Sequence, residues 1–237
     1  MDELKELKKD LRSFQRPDKV KALMRFFKTG PGEYGEGDEF LGLKTDETRS
    51  VAKKYLNLPL PDISKLLASK IHEERTVAVM ILWRQFKKAS MEDKKKIYDF
   101  YFKNLAGINN WDLVDSSAPE IIGGYLYLSK NPRKILYDLA ASNNLWKRRI
   151  SIMATFYFIR EKDFIDALKI AEILVGDDED LIQKAVGWML REIGNRNMEV
   201  EEGFLKKHYK TMARTMLRYA IEKFPEEKRQ KYLKGKI

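Results

Sequence analysis

Apolar residues recur along nearly the whole chain at intervals of three and four positions, the spacing that lays one apolar stripe along an α-helix. Leu4, Leu7, Leu11 and Phe14 form one such stripe; Val20, Leu23, Met24 and Phe27 form the next, after a Pro17 suited to a first helical turn. No segment sustains the alternation of a half-buried strand. Breaks come often: residues 30–37 read as a loop, Thr45 with Asp46 and Glu47 as a helix start, and Pro61, Ser90 with Asp93, Pro119 and Pro132 as further starts. The pattern predicts an all-α chain of about a dozen short helices.

Arg75, Trp111, Arg149 and Lys184 fall at the heads of successive predicted helices, roughly 35 to 38 positions apart. Stacked helical pairs of that period predict a HEAT-like helical repeat solenoid, an α-α superhelix with equivalent helices lining one concave face. No linker rich in Pro, Gly or Ser divides the chain, so residues 1–237 read as a single repeat domain.

Charge alters this picture most. Lys and Arg number 46 against 36 Asp and Glu, a formal charge of +10 over 237 residues, so the concave face is expected to be basic and its partner a polyanion, nucleic acid ahead of membrane. No apolar run approaches a membrane span, and MDELKELKKD reads as a charged amphipathic helix, not a signal peptide. The expectation is a cytoplasmic monomer, nucleoid-associated when on DNA. With no cysteine and only His72 and His208, thiol chemistry is excluded and neither a metal site nor another cofactor is expected.

Few residues stand out as chemistry. In DEDLIQKAVGWMLREIG, Leu181, Ile182, Ala185, Val186, Met189 and Ile193 form the stripe, while Lys184, Trp188 and Arg191 share another side. Trp188 fits either a surface that stacks on sugar or base between phosphate-holding cations, or a ring packed at the stripe's edge. LWKRRISIMATFYFIR is apolar nearly all round, yet Arg149 falls on the side of Met153 and Phe156; its anion is a protein carboxylate or a ligand phosphate, with the internal pair favoured. Asp112 and Asp115, beside Trp111 in INNWDLVDSSAPE, are N-caps or a lone reactive carboxylate. Lys210, Arg214 and Arg218 fall along one predicted helical face, as a phosphate-tracking ridge would. Lys94 to Lys96 read as solvation on an outer helix.

Taken together, YGEGDEFLGLKTDETR (34–49), NNWDLVDSSAP (109–119), NLWKRRISI (144–152) and IQKAVGWMLREIG (182–194) resemble, in order and spacing, the AlkD-like alkylpurine DNA glycosylases of the DNA alkylation repair family, built from HEAT-like repeats. MARTMLRYAIEKF near the C-terminus is also similar. The resemblance implies Trp111 and Trp188 as an aromatic pair facing the lesion's deoxyribose, Asp115 as the catalytic carboxylate and Arg149 as a contact to the DNA backbone. Lys147 and Arg148 add charge beside it, and a shift of one residue would put Arg148 on the DNA instead.

The implied reaction is hydrolysis of the N-glycosidic bond of cationic 3- or 7-alkylpurines in double-stranded DNA, without extrusion of the base. An alkylated, positively charged base departs neutral and needs no general acid, so one carboxylate and two aromatic faces suffice to favour the oxocarbenium sugar. Two other classes use the same features: a HEAT-like protein that binds DNA or RNA structure without chemistry, and a protein-interaction scaffold.

Overall fold

The computed structural model describes residues 2–237 as an all-α chain; the only β-type pairing among them is an isolated parallel bridge between Glu39 and Ile71. It divides into two compact units, one ending at Ile121 and the other spanning Ile122–Ile237.

The first unit contains α1 (Glu3–Ser13), α2 (Pro17–Phe26), α3 (Thr45–Lys54), α4 (Leu60–Leu67), α5 (His72–Lys88), α6 (Met91–Lys103) and α7 (Trp111–Ala118). Starts follow the expected chemistry: Pro17 and Pro61 occupy first turns, and the Ser90 hydroxyl accepts from the Asp93 N–H. The long α5 is central, packing against α3, α4 and α7 and burying Val77, Ala78, Val79, Ile81 and Leu82. The α1 stripe closes over Leu7 and Leu11, but the next one stays open: of Val20, Leu23, Met24 and Phe27 only Phe27 is buried.

The head of α5 departs from the rule that charged runs are solvated. His72, Glu73, Glu74 and Arg75 are all buried, and each is held by a neighbour, His72 and Arg75 sharing Asp38. Glu73 accepts the backbone N–H groups of Leu41, Gly42 and Leu43, Glu74 pairs with Lys8 at 2.8 Å, and Arg75 reaches Asp38 at 2.6 Å. Gly42 serves this loop directly, with a φ of +93° and the Arg16 carbonyl where a Cβ would stand.

The second unit contains α8 (Gly124–Ser129), α9 (Lys134–Ala140), α10 (Leu145–Arg160), α11 (Ile165–Ile173), α12 (Asp180–Gly194), α13 (Met198–His208), α14 (Arg214–Ala220) and α15 (Glu226–Leu233). Its core is built on α10, packed on α9 and α12, and on α12, packed on α13 and α14. As its all-round apolar pattern predicts, α10 is buried over Ile150, Ile152, Met153, Ala154, Phe158 and Ile159. The α12 stripe buries Ile182, Ala185, Val186, Met189 and Ile193.

Three expectations are corrected. Pro119 opens no new helix: it follows α7 without a break and begins a π-helical segment, Pro119–Gly123. The helix heads do not coincide with the period markers: α5, α10 and α12 begin at His72, Leu145 and Asp180, so Arg75, Arg149 and Lys184 sit a turn inside. The C-terminal ridge is not one helix. The chain turns at Tyr209–Ala213, which buries Tyr209 and Met212, so Lys210 lies in the turn while Arg214 and Arg218 lie on α14.

Candidate functional site

In the first unit the site is organised by α7. Asn110, extended at φ −146°, caps the helix by accepting the Trp111 N–H on its side chain at 2.8 Å, so neither aspartate serves as the cap. Trp111 is the first helical residue and is half-buried. Its indole lies nearly parallel to the Phe27 ring, 5.5 Å between centroids, and takes the edge of Phe26 at 5.7 Å. Phe26 is 62% exposed, so Trp111 borders an open aromatic surface.

Asp112 turns inward to His72, its carboxylate 2.8 Å from Nε2. The other imidazole nitrogen lies 3.2 Å from Asp38, which also pairs with Arg75. Burial disfavours charge on His72, but the hydrogen bonds to Asp112 and then Asp38 outweigh it and push its pKa up to about 9. Burial likewise opposes the Asp38 charge, yet His72 and Arg75 hold its carboxyl below the usual range.

Asp115 stands one turn after Trp111, on the same side of α7, and is half-buried. Its charge reaches the buried Tyr101, whose hydroxyl contacts Ser117 at 2.9 Å; burial first, and Asp115 in addition, push that hydroxyl well above the usual tyrosine range. An indole and a carboxylate side by side form an environment that favours a cation.

In the second unit, Lys184, Trp188 and Arg191 share the less buried side of α12 as expected. Both cations carry protein partners: Lys184 pairs with Asp180 at 2.6 Å, and Arg191 pairs with Glu222. Trp188 is half-buried, its indole N–H 3.3 Å from Glu192 and its ring 6.0 Å from Phe156, so it packs at the stripe's edge while keeping an open part.

Arg149 is 5% exposed and donates to the Leu181 carbonyl, tying α10 to α12. Arg148 pairs with Asp177 at 2.7 Å and donates to the Ser142 carbonyl at 3.0 Å. Lys210, Arg214 and Arg218 are exposed; Arg214 donates to the Leu233 carbonyl. Lys95 and Lys96 pair with Asp99, Glu92 and Asp93 on α6, consistent with solvation, whereas Lys94 is half-buried, donating to the Ala89 carbonyl and lying over the Phe86 ring.

Sequence reasoning passed over His72, Asp38 and Phe27, the groups that hold the Trp111 end of α7. His72 had a signal, four adjacent charged or polar residues, HEER, heading a helix with a long apolar run; Asp38 and Phe27 had none.

The family model described as DNA alkylation repair enzyme matches residues 7–224. Among solved structures, the chain is similar to a protein described as a predicted DNA alkylation repair enzyme from Enterococcus faecalis, with a TM-score of 0.70 at 17% identity over 90% of this chain and 97% of that one. It is also similar to AlkD2 from Streptococcus mutans, with a TM-score of 0.53 at 19% identity over 86% of this chain and 97% of that one. The comparison with curated proteins finds no match. The structural likenesses bear out the HEAT-like helical repeat fold.

Proposed function

The chain belongs to the DNA alkylation repair enzyme family, and we propose that it is a DNA glycosylase that hydrolyses the N-glycosidic bond of cationic 3- or 7-alkylpurines in duplex DNA. The observation that carries this reading is the placement of Trp111 and Asp115 one turn apart on one side of α7, beside the open aromatic surface of Phe26. In the reaction the glycosidic electron pair leaves with the base and neutralises its charge, and a water oxygen bonds to the anomeric carbon. Asp115 stabilises the oxocarbenium character of the sugar and orients that water; the water's proton passes to the carboxylate or to solvent.

Trp111 offers its indole to the same developing cation; Trp188, in the second unit, is proposed as an aromatic contact to the DNA. The lesion is engaged through sugar and phosphates, so the unstacking cost of extruding a base is avoided. Phosphate contacts are assigned first to the exposed Lys210, Arg214 and Arg218, and to Lys184 and Arg191, whose carboxylate partners must be exchanged for phosphate. Arg149, enclosed by protein, is assigned to holding α10 against α12.

The test is single-turnover base release from a duplex carrying one 7-methylguanine, read as strand scission after alkali. The wild type is expected to release the base and Asp115→Asn to lose about a hundredfold or more in rate while retaining DNA affinity. Binding by both proteins with release by neither would leave a DNA-structure binder.

A further inference from the structure

The chemistry proposed for α7 depends on how firmly its first turn is held, and the holding is done by a polar cluster beneath it. His72 is 3% exposed and stands between two carboxylates from different parts of the chain, Asp38 in the loop before α3 and Asp112 in the first turn of α7. Each carboxylate accepts on one ring nitrogen, at 3.2 Å for Nδ1 and 2.8 Å for Nε2. Two acceptors facing two nitrogens are both satisfied only when both nitrogens carry a proton.

Charge balance points the same way. Asp38 and Asp112 bring two negative charges and Arg75 one positive charge, so a neutral imidazole leaves the cluster with an uncompensated negative charge, and an imidazolium leaves it neutral. The ring also lies against Phe27 at 4.6 Å and Phe40 at 4.9 Å between centroids, and aromatic faces favour a cation. One contact opposes this arrangement: an Arg75 guanidinium nitrogen lies 3.3 Å from Nδ1, where a neutral ring would accept from it.

The cluster reaches Trp111 by two routes. Through the backbone, Asp112 follows Trp111 directly, and Asn110, which caps the Trp111 N–H, lies 3.4 Å from Asp38. Through the rings, Phe27 contacts both the imidazole and the indole. The bridge between Glu39 and Ile71 pins the loop, with the His72 N–H donating to the Glu39 carbonyl at 2.8 Å.

We infer that His72 is a positioning residue for the reaction proposed above: as an imidazolium donating to both Asp38 and Asp112, it locks the first turn of α7 and so the placement of Trp111 and Asp115. The catalytic half of this inference rests on the glycosylase reading; the structural half does not. Deprotonation releases one of the two carboxylate contacts and loosens the turn, so base release is expected to decline at high pH. Such a decline would come from the chemical step, not from DNA affinity, because His72 touches no substrate.

The experiment uses the full chain with nitrogen-15 in its histidines and tryptophans. Only His72 and His208 contribute imidazole signals, and His208→Gln separates them; Trp111→Phe identifies the Trp111 indole. The expected result is that both His72 nitrogens are protonated at neutral pH, that the ring titrates near 9, and that the Trp111 indole resonance moves with the same midpoint. Asp38→Asn is expected to lower both midpoints together without removing the ring. In single-turnover base release, His72→Gln is expected to cut the rate about tenfold to a hundredfold at unchanged DNA affinity, and the wild-type rate to fall with the imidazole midpoint.

A neutral His72 at pH 7, or a Trp111 resonance unmoved through its titration, would overturn the inference. So would a release rate indifferent to that titration. If His72→Gln does not fold, Asp38→Asn carries both arms. Absence of base release from the wild type at every pH would defeat the glycosylase reading, and the indole resonance would still decide whether His72 holds Trp111.

Discussion

Glu201 on α13 is a buried carboxyl that the proposed chemistry does not use. It is 1% exposed, and its side chain occupies the space that a Cβ on Gly194 would need. Burial pushes its pKa up to about 8, against a smaller opposing influence from Arg191. The folded state therefore holds a proton that the unfolded state releases near the ordinary glutamate value. The stability tied to that proton is complete below the unfolded pKa near 4.5, drains away as pH rises toward 8, and changes no further above it. Glu201→Gln, which cannot ionise, is expected to melt above the wild type at pH 8, with a gap on the order of a few kcal/mol that narrows toward pH 5. Thermal melts of both proteins at the two pH values measure it; a gap independent of pH would show that the carboxyl ionises normally. Glu201 was not legible as a special position, because a single Glu in a charged helix is ordinarily solvated, and HEER marks the head of α5 without showing which partners His72 takes. Trp111, Asp115 and Trp188 were legible through the stretches around them, whose order and spacing carry information that one residue lacks.

Among the elements, α12 is legible because one side is buried from Ile182 to Ile193, with Leu181 only half-buried at its start, so its stripe repeats without interruption. Gly187 on that helix permits a close crossing: a Cβ there would stand 2.4 Å from the Met216 carbonyl oxygen and 2.5 Å from the Tyr219 Cβ on α14. Gly187→Ala is expected to push α12 and α14 apart and destabilise by about 1–3 kcal/mol, despite alanine's better helix propensity. Chemical denaturation reads this directly, and a stabilised variant would refute the close crossing. The α13–α14 break escaped the periodicity because Phe204, Leu205, Tyr209, Met212 and Met216 keep helical spacing across it. A stripe records which residues are inward, and a turn that buries the same residues leaves the same stripe. The open apolar face of α2 illustrates the converse: Val20, Leu23 and Met24 have the spacing of a core helix, yet no neighbour covers Met24, which is 40% exposed.

For the whole molecule, the excess of cations predicts DNA affinity that falls steeply with salt. If Lys210 and Arg218 each touch a phosphate, alanine at either site should reduce the slope of log affinity against log salt by about one, uniformly across sequences. Titrations of labelled duplex over a range of salt concentrations check this, and unchanged slopes would remove those residues from the contact surface. The sequence by itself determined that the chain is helical, the inward stripes of α1, α10 and α12, and, through four motif stretches in order, which family it belongs to. Those properties are local or linear: helical spacing is set by neighbours three and four positions away, and motif order survives any reading of contacts. Only the tertiary structure decided that HEER is buried, that Asp112 turns to His72 while Asp115 does not cap its helix, and that Arg149 holds α12. Except for the capping, which Asn110 takes locally, each of those outcomes depends on a partner some thirty or forty positions distant in the chain. Ion pairs and hydrogen bonds act over a few ångströms, so their partners exist only after packing has brought separate helices together.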